Sequence, residues 1–97
     1  MQLLSYEFFA GHVRECFSLL LGDSSVDMTL VEAQRRPTRV VAGIRADPFT
    51  LYFKSESHVL LPQRLYPFKR PGIETVNIFI VPVGREKGGI VYEAVFN

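Results

Sequence analysis

The feature that most constrains this chain is the spacing of its apolar side chains, which recur at every second position in short runs separated by turn residues. The clearest run covers residues 49–54, where Phe49, Leu51 and Phe53 alternate with more polar residues. A two-residue period places alternate side chains on opposite faces of a β-strand. Several such runs predict an all-β or β-rich α+β fold, a small bent roll or barrel of five to six antiparallel strands with a short N-terminal helix.

The C-terminal half adds three expected strands. Residues 64–68 contain Pro67, which lacks the N–H that a ladder needs, so this strand is expected at an edge. Residues 75–83 are apolar on both faces, which is typical of a strand buried on two sides. Residues 85–89 are polar and contain glycine, so they predict a hairpin loop before the last strand at residues 90–96.

The first element allows two interpretations. Apolar residues at three- and four-residue steps fit one helix that runs from Ser5 to Leu21 and ends at Gly22. The alternative is a short helix capped by Ser5 and closed at Gly11, followed by a strand over residues 15–21. Periodicity alone does not separate these two arrangements.

Length and composition favour one globular domain over residues 1–97. Hydrophobic residues make up 47% of the chain and charged residues 22%, which argues against disorder. A net charge of +1 provides no global attraction to nucleic acid, so electrostatic binding would need a local patch. The single cysteine, the lack of a secretory signal pattern and the short apolar runs lead us to expect a cytoplasmic protein that does not bind membranes.

The residue types that carry catalysis or bind metals are sparse. Cys16 lies among apolar residues, where a free cysteine is usually a small buried hydrophobe. His12 and His58 do not complete a recognisable metal or nucleophile pattern. Gly88 and Gly89 are not followed by the Lys-Ser/Thr of a phosphate loop. We therefore expect no catalytic residues, no metal site, no cofactor and no enzymatic activity.

Basic residues form the one local charge anomaly of the sequence. No acidic residue lies between Glu32 and Asp47, and residues 64–70 place three more cations beside Tyr66 and Phe68. Arginines beside aromatic rings can hold single-stranded nucleic acid through phosphate contacts and base stacking. At strand ends the same residues can simply guard exposed edges. The candidate interaction or nucleic-acid patch consists of Arg35, Arg36, Arg39, Arg45, Arg64, Lys69 and Arg70.

Most of the chain resembles an uncharacterised family of small bacterial proteins, a domain of unknown function. The likeness is carried by Phe8, Phe9, Gly11 and Phe17, by Leu60-Leu61-Pro62-Gln63, and by the C-terminal segments Ile78-Phe79-Ile80-Val81-Pro82-Val83-Gly84 and Tyr92-Glu93-Ala94-Val95-Phe96-Asn97. In that family the Gly11 position is a break, which favours helix followed by strand. A short helix followed by about five bent strands is also similar to Sm-like folds. Residues 26–32 resemble the first Sm motif, with Thr29 at the position of its RNA-contacting Asn.

These observations lead to one functional hypothesis and one alternative. The first is a non-enzymatic protein-interaction or scaffold module. It would bind another protein or self-associate as a dimer or ring, either through the arginines of the first basic stretch or through an incompletely paired strand such as the one containing Pro67. The alternative is Sm-like binding of RNA or single-stranded nucleic acid through the basic patch. The family resemblance implies no activity, because that family has none assigned.

Overall fold

The computed structural model describes residues 4–97, with the side chains at positions 39, 41, 44, 45 and 46 outside that description. Its elements are α1 (Tyr6–Ala10), β1 (Cys16–Leu21), β2 (Ser24–Arg35), β3 (Arg39–Val41), β4 (Ile44–Ala46), β5 (Phe49–Ser55), β6 (Arg64–Arg70), β7 (Ile73–Glu86) and β8 (Gly89–Phe96). Six strands form a closed antiparallel barrel in the order β1-β2-β5-β8-β7-β6, and β3 and β4 form a separate hairpin. The predicted small β-barrel with a short N-terminal helix is confirmed, while the Sm-like fold and the bacterial origin stay predictions.

The first element is a helix followed by a strand. Ser5 is extended, and its hydroxyl accepts the N–H of Phe8 at 3.1 Å, which satisfies a free donor at the helix start. The helix ends at Gly11, and Arg14 then takes a positive φ of 78° in the turn that leads to β1. Within residues 4–97, the structure has no helix of the length and apolar character needed to span a bilayer.

β2 and β7 each pair with two neighbouring strands in succession, because both strands bend. β2 pairs with β1 along its first half and with β5 along its second, and β7 pairs first with β6 and then with β8. Shortly after it changes partner each strand contains one extra residue, Val31 in β2 and Val83 in β7. A β-bulge of this kind bends the strand and increases its twist, which allows the sheet to close into a barrel.

The inward side chains of the barrel form a single apolar core. The alternation predicted for β5 is confirmed, and near its centre the rings of Phe53 and Phe17 meet edge to face with centroids 5.9 Å apart. Phe9 of α1 is fully buried and fills one end of the barrel, 5.9 Å from Phe49 and 5.6 Å from Phe96. The buried apolar residues are Phe9, Phe17, Leu19, Met28, Leu30, Phe49, Leu51, Phe53, Leu61, Tyr66, Phe68, Ile78, Ile80, Ile90, Tyr92 and Ala94.

The barrel closes along a short seam between β1 and β6. The residue pairs that join these strands are Ser18 with Lys69 and Leu19 with Phe68. The prediction that Pro67 lies in an edge strand is wrong, because β6 pairs with β1 on one side and with β7 on the other. Pro67 nevertheless stands at the point where pairing with β1 stops, since it has no N–H to donate.

β7 differs from its prediction in length and in burial. It continues to Glu86, so the expected loop at residues 85–89 shortens to a turn at Lys87 and Gly88. Burial on two sides is wrong: Ile78 and Ile80 are buried, whereas alternate residues such as Phe79 are exposed. The barrel has one core, and this core covers only the inward face of β7.

Gly89 is the glycine whose replacement we expect to disturb the fold most. A Cβ at this position would lie 1.8 Å from the carbonyl oxygen of Ser55, so Gly89→Ala should lower the free energy of unfolding by roughly 3 kcal/mol or more. Gly72 is a matched control, because it has a positive φ of 81° but open space around it. Gly72→Ala should cost about 1 kcal/mol. Urea denaturation followed by circular dichroism measures both, and equal losses would contradict the steric explanation.

Candidate interaction surface

Two arginines of the predicted patch contact the first helix and the end of the last strand. The guanidinium of Arg35 pairs with the carboxylate of Glu7 on α1 and lies over the ring of Tyr6, 4.5 Å from its centroid. Arg36 donates from Nη2 to the carbonyl oxygen of Phe96 at 3.0 Å. Both guanidinium groups are therefore engaged by the chain itself, in contacts that support the fold.

Arg70 secures the seam between β1 and β6. Its Nη1 donates to the carbonyl oxygen of Cys16 at 2.8 Å, and its Nη2 lies 3.0 Å from Oε1 of Glu15. The same carboxylate oxygen is 2.7 Å from Nδ1 of His12. The hydrogen bond with His12, supported by the charge of Arg70, lowers the pKa of Glu15 below its ordinary value.

The remaining basic residues of the predicted patch are distributed differently. Arg64 and Lys69 lie exposed on β6. Arg39 and Arg45 belong to the β3–β4 hairpin, and their side chains lie outside the described residues. Because β1 separates β2 from β6 in the barrel, the structure does not gather the two basic stretches into one described patch.

Cys16 is exposed, so the prediction of a buried cysteine is wrong. It points outward beside Thr29 and lines a groove of about 450 Å³ together with Asp27 and Lys54. Partial burial, reinforced by the charge of Asp27, raises the pKa of the Cys16 thiol above its ordinary value of 9.0. His12, the nearest histidine in sequence, binds Glu15 instead. In the described part of the chain, no three His, Cys, Asp or Glu side chains group closely enough to hold a metal ion.

The most distinctive surface is the outer face of β6 and β7, defined here by Leu65, Phe79 and Val83. Leu65 and Phe79 are direct cross-strand partners, with 56% and 49% of their surfaces exposed, and Val83 is the exposed bulge residue. Large apolar side chains exposed together on a small domain, as Leu65 and Phe79 are, often mark a site of protein interaction. The sequence signal for this surface is the apolar pattern on both faces of residues 75–83, which predicts burial on two sides but does not distinguish cover within one chain from cover by a second one.

The fold and its surfaces define a small six-stranded β-barrel domain with large apolar side chains exposed on the outer side of β6 and β7. The chain belongs to the family described as a domain of unknown function (DUF6916), whose model matches residues 4–96. This match confirms the resemblance to an uncharacterised small domain. No curated protein and no solved structure matches the chain significantly.

The raised pKa of the Cys16 thiol predicts slow alkylation at neutral pH. The thiolate is the reactive form, and raising the pKa decreases its fraction at pH 7. Iodoacetamide should therefore modify native Cys16 more slowly than the same residue in urea-unfolded chain, and the native rate should still be rising above pH 9. Mass spectrometry over a pH series measures the rates. A native rate at pH 7 above that of the unfolded chain would contradict the assigned shift.

Proposed function

We propose that this chain is a non-enzymatic protein-interaction module that self-associates through the outer side of β7. The proposal rests on one observation: β7 has the composition of a strand covered on both faces, but only its inward face is buried. Apolar residues occupy both faces of the strand, whereas one barrel covers one face. A strand of this composition is normally covered on both sides, and a second protein surface would supply the missing cover.

The energetics of the exposed side chains support association. Phe79 and Leu65 lie directly opposite each other, so water contacts two large apolar groups at one place. Covering the exposed half of a phenylalanine contributes on the order of 1–2 kcal/mol. In a two-fold dimer the same patch is used by both copies, which doubles the contribution of each residue.

The contacts of the arginines favour this function over nucleic-acid binding. Arg35, Arg36 and Arg70 already bind carboxylate or carbonyl groups of their own chain. Recruiting them to phosphate would break contacts that hold α1, the C-terminal strand and the seam. An exposed apolar face is also the surface type that protein partners use, whereas phosphate contacts require free cations.

Replacing Phe79 with threonine tests the proposal, because threonine keeps a high preference for strands but removes the aromatic ring. We expect the wild-type chain to show concentration-dependent association in sedimentation velocity and light scattering. Phe79→Thr should weaken this association about tenfold or more, for a loss of roughly 1 kcal/mol at each copy.

Val59→Thr is the matched control, because Val59 is also exposed but lies in the loop between β5 and β6. It should leave association unchanged, and urea unfolding establishes that both variants are folded. A wild-type chain that remains monomeric at the highest attainable concentration would refute the proposed function, as would equal effects of the two substitutions.

A further inference from the structure

We propose that two copies associate edge to edge, by antiparallel pairing of residues 76–80 of β7 with the same residues of the second copy. The inference rests on the proposed self-association and names its geometry: one strand edge, the register of pairing and the two-fold axis. The pairing would join two barrels through a continuous sheet.

Residues 76–80 pair with a strand on one side. The β6–β7 ladder includes them, whereas the β7–β8 ladder begins at Val81. β8 continues instead along β5 as far as Phe96. Among residues 4–97, no backbone hydrogen bond from the helix, turns or loops reaches this edge. Alternate N–H and C=O groups of residues 76–80 therefore point away from β6, as on an edge strand.

The features that usually protect an edge lie outside this segment. β7 places Glu74 and Thr75 opposite the single residue Lys69, which forms a bulge before residue 76, and Val83 forms the bulge beyond residue 80. Between the two bulges the sequence Val76-Asn77-Ile78-Phe79-Ile80 contains no proline and no charged residue. Prolines, charges and bulges are the common means of blocking edge pairing, so this short edge can accept a partner.

A second copy fits this edge because the segment is complementary to itself. A two-fold axis at Ile78 pairs residue 76 with 80 and residue 77 with 79, so all five residues find a partner and no like charges meet. On the outer face each Phe79 lies opposite an Asn77, and the two phenylalanines are diagonal neighbours at about 7–8 Å, within reach of aromatic side chains. The contact between the two Phe79 side chains then removes part of their exposed apolar surface from water.

The size of the contact sets the expected affinity. A five-residue edge with flanking side chains is smaller than a standard interface of roughly 1,600 Å², so we expect a dissociation constant in roughly the micromolar range. Association of that strength is measurable by sedimentation velocity and leaves monomer and dimer both populated at ordinary protein concentrations.

Disulfide trapping with single-cysteine variants tests the register. In a Cys16→Ser background, Asn77→Cys and Phe79→Cys are prepared separately, mixed at concentrations where sedimentation velocity shows that the reduced mixture itself associates, and oxidised with diamide. Directly opposite residues have Cα atoms about 4.5–5.5 Å apart, within disulfide range, whereas like cysteines would lie about 7–8 Å apart. We expect at least about fivefold more covalent dimer in the mixture than in either variant alone.

Val83→Cys is the control for cross-linking between exposed cysteines of β7 that are not opposite each other in the proposed register. Val83 is exposed on the same strand, but in this register it lies about 13 Å along the strand from the position opposite Asn77. Its mixture with Asn77→Cys should give background cross-linking. Circular dichroism establishes that every variant is folded.

The possible failures have different meanings. If the reduced Asn77→Cys and Phe79→Cys mixture associates but gives no more covalent dimer than the control mixture, the edge pairing is refuted and the proposed function stands. If the wild-type chain never associates, both are refuted. Equal cross-linking in all mixtures would likewise refute the register, because it indicates random collision.

Discussion

The barrel depends on the bends that allow β2 and β7 to change partners. A strand that pairs with two neighbours in succession must turn between them, and each strand has an inserted valine, Val31 or Val83, within two or three residues of its change of partner. Each inserted residue is exposed, so the bulge bends the backbone without disturbing the inward alternation on either side. The core continues across both corners for this reason.

The same bends leave each of these strands paired on one side over part of its length. In β2 this stretch precedes Thr29 and is polar at its surface, with Ser24, Ser25 and Asp27. In β7 it is residues 76–80, which are predominantly apolar. Each of these two strands therefore has an edge that is unpaired on one side. The polar side chains of β2 are well solvated at its edge, whereas the apolar side chains of β7 would be stabilised by a partner.

Local chemistry predicted the local structure well. The Ser5 cap and the alternation at residues 49–54 are signals between near neighbours in sequence, and the structure confirms both. The end of the helix at Gly11 was favoured by the family resemblance, because periodicity also fitted one long helix. The errors concern long-range contacts. Pro67 looked like an edge residue because the partner of β6 on that side, β1, lies far back in the sequence.

The same distinction explains the surface residues. The arginines form clusters in the sequence, but their partners, such as Glu7 for Arg35 and the Phe96 carbonyl for Arg36, are distant and only the fold brings them together. For residues 75–83, composition indicated that both faces avoid water. Composition did not indicate whether the outward face is covered by the same chain or by another one.

The seam between β1 and β6 has a consequence for the dynamics of the domain. Two residue pairs and the side chain of Arg70 hold it, whereas the other ladders of the barrel run for five or more pairs. Opening the cylinder here breaks fewer backbone hydrogen bonds than opening it elsewhere, so partial unfolding begins along this line. The β1–β2 hairpin can then bend about its ladder with β5 while the β5–β8–β7–β6 sheet remains paired. The amide protons bonded across the seam between β1 and β6 are therefore the first in the barrel to exchange with solvent.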